Sequence, residues 1–124
     1  MNQPLLFICG PYRGDTRNNI EKAKSLSMHL WAAGYPNICP HLNSGGFEAT
    51  IKDDGVFLDG YRQILLRCDA VITIPGWLDS EGSRAEVKTA EQNGIEVLHQ
   101  VYYGPGAISG LLGVIARWWQ AVRP

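Results

Sequence analysis

Apolar residues follow two rhythms along this chain. Short unbroken runs occur at residues 5–9 (Leu-Leu-Phe-Ile-Cys), 70–74 (Ala-Val-Ile-Thr-Ile) and 95–98 (Ile-Glu-Val-Leu), and a weaker one at 35–40. The first two stop at Gly10-Pro11 and Pro75-Gly76. Runs of this length, closed by turn residues, predict strands buried on both faces. Between them apolar positions recur at three- and four-residue steps, which predicts helices. Ile20, Ala23, Leu26, Leu30 and Trp31 form one such stripe, with Asp15 or Thr16 placed to cap it and Gly34 to stop it. Phe57, Tyr61, Ile64 and Leu65 form a second within 57–67, and a third helix spans about 82–93 before Gly94. Ile108, Leu111, Leu112, Ile115, Trp118, Trp119 and Val122 mark the last. The stretch 41–55, with Gly45-Gly46 and Asp53-Asp54, reads as a mobile loop, and 102–106 as a turn-rich connector.

Strand and helix therefore alternate four times. This predicts an α/β fold with a parallel sheet of four to five strands between helical layers, a Rossmann-like or flavodoxin-like three-layer sandwich. With 124 residues and 45% hydrophobic content, residues 1–124 form one domain with a core of its own. The final helix is expected to close one face of the sheet. Its adjacent tryptophans also suit a subunit contact, and a homodimer or higher homo-oligomer is expected.

Composition removes several function classes. Eleven Lys and Arg against twelve Asp and Glu leave a net charge of −1, no footprint for duplex nucleic acid or an anionic membrane. No apolar run approaches the roughly 18 residues of a membrane span. The N-terminus lacks the signature of a signal peptide. Three cysteines without a C-x-x-C pair suit reduced thiols and a cytoplasmic location.

In such sheets ligands gather beyond the carboxyl ends of the strands. Three groups of residues lie there. After the first strand come Gly10, Pro11, Tyr12, Arg13, Gly14, Asp15, Thr16 and Arg17. A helix N-terminus with two arginines suits a phosphate or a sugar hydroxyl, or is an ordinary strand-to-helix turn. Neither a Walker loop nor a dinucleotide fingerprint is present. Tyr12 either stacks on a ring or covers the sheet end. After the second strand, His41 and Asn43 either face the cleft or are plain loop polar residues, and Cys39 with His41 supplies too few ligands for a metal. After the third, Trp77, Ser80, Gly82 and Ser83 precede Glu86 at the start of a helix. Glu86 is either a solvent-facing helix residue or a cleft carboxylate whose anionic form the helix dipole favours. The small Gly82 and Ser83, one turn earlier, would leave room for a substrate ring above it.

Taken together, Gly10-Pro11-Tyr12 with Asn18/Asn19, Pro40-His41, Cys68-Asp69-Ala70-Val71, Pro75-Gly76-Trp77, Ser80-x-Gly82-Ser83-x-x-Glu86, Ala90 and Gly94 resemble the nucleoside 2-deoxyribosyltransferase-like superfamily over roughly residues 5–98. That superfamily includes deoxyribosyltransferases and 2′-deoxynucleoside 5′-phosphate N-hydrolases, and the chain looks closest to a small bacterial and phage branch. The resemblance implies that Glu86 is a nucleophile attacking C1′ of a nucleoside or nucleotide, with a covalent glycosyl intermediate as in retaining glycosidases. It calls for no metal or redox cofactor. It also implies that Ser80, where transferases carry Asp, holds a 5′-phosphate with help from Arg13 and Arg17. Tyr12 or Trp77 would stack on the base. The family's usual second Asp, eight residues before Asp69, is Tyr61 here. Either Asp59 replaces it through a shifted helix, or the second carboxylate is missing and a nucleotide-sensing or sequestering role competes with catalysis.

Overall fold

The computed structural model describes residues 2–101 and 106–123. Four parallel strands, β1 (Leu6–Cys9), β2 (Asn37–Ile38), β3 (Ala70–Thr73) and β4 (Glu96–His99), form one sheet in the order β2-β1-β3-β4. Five helices accompany them: α1 (Thr16–Ala32), α2 (Pro40–Asn43), α3 (Asp54–Leu65), α4 (Glu81–Gln92) and α5 (Ala107–Val122). The expected α/β three-layer architecture is the one observed.

Alternation along the central strands explains the layers. Leu6 and Ile8 of β1 and Ala70 and Ile72 of β3 point to one face, where α1 adds Ala23, Leu26 and Leu30 and α5 adds Leu111 and Ile115. Phe7, Cys9 and Val71 point to the other, where they meet Leu65 of α3 and Val87 and Ala90 of α4. Both β1 and β3 are fully buried along their length, as a strand covered on both faces must be. The last helix closes the first face as expected. Trp118 packs on its core, and the Trp119 Nε1–H donates to the Asn2 carbonyl at 3.0 Å.

Three boundaries differ from the sequence reading. The weak second strand shortens to Asn37–Ile38 at the sheet edge. Buried Asn37, paired with Leu6 in the ladder, also bonds Ser27 and the Tyr35 carbonyl through its side chain. Helix α3 begins at Asp54, earlier than expected, because the Asp53 side chain accepts from Gly55 N–H and caps it. The 41–55 stretch is not an open loop: it holds α2 and a 3₁₀ turn at Phe47–Ala49. Of the 102–106 connector, residues 102–105 lie outside the described residues. No helix among those described is long and apolar enough to cross a membrane.

β1 lies between β2 and β3, so the chain leaves β1 toward one edge and later returns to its other side. That reversal is the topological switch point, where loops after the strands part and leave a crevice.

Candidate functional site

A cleft of about 630 Å³ opens at this point. It is lined from β1 by Gly10–Arg13, from α2 and the following turn by Pro40, His41, Ser44, Gly45 and Glu48, and from α3 by Asp54, Phe57, Leu58 and Tyr61. Residues 79–83, with Ala85 and Glu86, complete it from the start of α4.

The α4 wall is built by capping. Ser80 is the N-cap, its Oγ accepting from Ser83 N–H at 3.2 Å. Glu86 follows in the second turn, half-buried in the cleft. A Cβ added to Gly82 would meet no atom within 4 Å, so the cleft wall is open at this position. Burial pushes the Glu86 carboxyl up to about 7, and a hydrogen bond from the Cys9 thiol only partly offsets the rise. The anionic bias expected from the helix dipole is therefore overridden: desolvation outweighs a dipole that fades within the first turn. Cys9 is held as a neutral thiol, mainly by its own burial and then by the neighbouring Glu86, its single hydrogen shared between that carboxyl and the Ser83 carbonyl at 3.4 Å. The buried Ser83 Oγ has no hydrogen-bond partner among the described residues.

A second wall comes from the 40–49 segment. The Tyr12 phenol donates to Glu48 Oε1 at 2.8 Å and accepts from Gly46 N–H at 2.9 Å. This bond pulls the Glu48 carboxyl below its ordinary range, while burial and the same bond raise the Tyr12 phenol. His41 is buried with its Nε2–H donating to the Pro11 carbonyl at 2.9 Å. Its ring meets Tyr12 edge-on, with centroids 5.9 Å apart. Burial lowers its proton affinity, so it is a neutral strut between the two loops. Gly45 is required by packing, since an added Cβ would lie 2.2 Å from the His41 carbonyl oxygen.

Of the residues singled out from sequence, Gly10, Tyr12, Arg13, His41, Ser80, Gly82, Ser83 and Glu86 meet at the cleft. The others do not line it. Asp59 is exposed and accepts from Gln63 one turn along α3, so it does not take the place of the missing Asp. Asn43 turns to the Tyr61 hydroxyl. Trp77 packs on the second core cluster and stacks on His99, centroids 5.6 Å apart, rather than offering a face to the cleft. Arg17 is exposed on α1 and does not line the cleft. Gly14 serves backbone geometry, at φ +95°. The loop before α1 is fastened by Asn19, whose side-chain amide donates to the Tyr12 and Arg13 carbonyls. Tyr61 lines the cleft, its hydroxyl bonded to Ser44 and to the Pro40 carbonyl. Arg13 is ion-paired with Asp54. Among the described residues no three potential metal-ligating side chains come together.

Glu48 and Asp54 are among the cleft residues that sequence reasoning missed, with Ser44, Leu58, Asp79 and Glu81. The Asp53-Asp54 pair before an apolar stripe was a helix-start signal. Nothing near Glu48 in sequence announces its bond to a tyrosine in the first loop.

The fold and this cleft define a three-layer α/β protein with a carboxyl-bearing crevice at its switch point. The chain belongs to the family described as a domain of unknown function, DUF7768, whose model matches residues 4–100. No curated protein matches the sequence significantly.

Proposed function

We propose that the protein cleaves or transfers the N-glycosidic bond of a nucleoside or nucleotide, with Glu86 as nucleophile. The observation that carries this reading is a half-buried carboxyl lining the switch-point cleft, its proton affinity raised by burial to about 7. With the carboxylate ionised, an Oε–C1′ bond forms as the C1′–N bond breaks. The bonding pair leaves with the base, which takes a proton from solvent. Water, or a second base, then attacks C1′, the ester oxygen leaves, and the carboxylate is restored with retained configuration. A desolvated carboxylate is a stronger nucleophile than a hydrated one, and the cost of its burial is what raises its proton affinity.

The charge of the lining bears on the substrate. Arg13 is paired with Asp54, whereas Glu48, Asp79, Glu81 and Glu86 add carboxyl groups with no paired cation among the described residues. This balance supports a nucleoside with an uncharged 5′ end over the 5′-monophosphate expected from Ser80 and the two arginines. The apolar faces of Phe57, Leu58 and Tyr61 suit the flat surface of a base.

The test is incubation of the protein with deoxy- and ribonucleosides and their 5′-monophosphates, followed by chromatography for free base. Release that disappears in Glu86→Gln is expected. Tight binding without release by the wild type would instead support the sensor reading, which the tyrosine at position 61 favours. Neither binding nor release overturns both.

A further inference from the structure

We infer that Glu48 is the second working carboxylate of this cleft, a specificity-determining residue that accepts a hydrogen bond from an uncharged donor on the substrate, a sugar hydroxyl or an exocyclic amine. The inference rests on the glycosidic reading above. The Tyr61 hydroxyl is already bonded to Ser44 and the Pro40 carbonyl, and Asp59 faces solvent, so neither offers the cleft a spare acceptor. Glu48 reaches the cleft from a different element. Its Oε1 is held by the Tyr12 phenol, and the phenol is itself anchored by Gly46 N–H. Backbone N–H groups of Gly46 and of Glu48 itself also lean on the carboxylate and help hold it at the cleft wall, and a carboxylate has lone pairs for a further donor.

Such a group is an acceptor, not an acid. Tyr12 donates to it and stabilises its ionised form, so near neutral pH it carries no proton to give to a leaving base. A carboxylate with acceptor capacity to spare in a cleft recognises N–H or O–H groups and repels phosphate. Tyr12 is then a positioning residue, acting through Glu48.

The experiment uses the full chain carrying Glu86→Gln, so that no substrate turns over, with and without Glu48→Ala. Both proteins are titrated calorimetrically with 2′-deoxyadenosine, 2′-deoxycytidine and thymidine, and with 3′-deoxy and 5′-deoxy counterparts of each. Loss of a hydrogen bond to a charged acceptor weakens binding about tenfold or more. If Glu48 holds an amine, Glu48→Ala weakens the adenine and cytosine compounds by that factor and spares thymidine. If it holds a hydroxyl, all three natural nucleosides weaken, and the counterpart lacking that hydroxyl is spared. In either case Tyr12→Phe reproduces the same selectivity at reduced size. Equal weakening of every compound, or changes within twofold throughout, overturns the inference while leaving the glycosidic reading intact. If none of the compounds binds either protein and the wild type releases no base, the inference and the reading fall together.

Discussion

Glu86 and Glu48 line one cleft, yet their environments drive them apart. Glu86 sits on a long helix packed against the sheet, and burial raises its carboxyl to about 7. Glu48 sits on a short 3₁₀ turn, half-exposed, and a phenol holds it ionised. Two carboxyls of the same chemistry thereby acquire different tasks: one can alternate between proton and anion near neutrality, the other remains an acceptor. The helix supplies a rigid base and a dry environment; the turn supplies orientation through a single long-range bond.

The largest effect that would break this contrast is on turnover. Glu86→Gln is expected to lower kcat by at least about a thousandfold, since an amide cannot form the ester. A residual rate within tenfold of wild type, measured by base release, removes Glu86 from the chemistry. The same substitution tests the burial. A carboxyl raised from 4.5 to about 7 resists ionisation in the folded state, so the wild type loses stability as pH climbs through that window. Glu86→Gln should therefore match wild type near pH 4 and be more stable, by on the order of 2–3 kcal/mol, at pH 8. Denaturant melts at the two pH values check it, and an equal gap at both would contradict the desolvated site. In the wild type, kcat/KM should rise with pH through a limb centred near 7.

Effects on the turn are smaller. Gly45→Ala drives a methyl against the His41 carbonyl and is expected to cost about 1–3 kcal/mol. Unchanged thermal stability would mean that this segment yields freely. Smallest is Ser80→Asp, which keeps a residue able to cap α4 and so changes stability by less than about 1 kcal/mol. Its added charge should weaken 5′-monophosphates more than nucleosides in a binding titration; equal weakening would argue against any phosphate near Ser80.

What the chain made legible was local or periodic. Unbroken runs ending at Gly10-Pro11 and Pro75-Gly76 marked the central strands, and the ends of those strands marked the cleft. Glu86 stood out because it follows the third strand within a helix start. What escaped reading was long-range. The 41–55 stretch looked open because its polar, glycine-rich sequence has no stripe of its own; it is ordered by Tyr12 and His41 reaching across between loops. Trp77 resembled a stacking platform until the fourth strand brought His99 beneath it. The proton affinity of Glu86 depends on burial, which no spacing encodes, and the local dipole argument pointed the other way.

The crevice draws on stretches around residues 10, 45, 57 and 83, none adjacent in the chain. No excised fragment carries it, and a partly folded intermediate has no partial version of it. Ligand capture therefore reports completed assembly of the whole topology, and a small molecule seated there would act as a keystone, raising the unfolding barrier of elements it never touches.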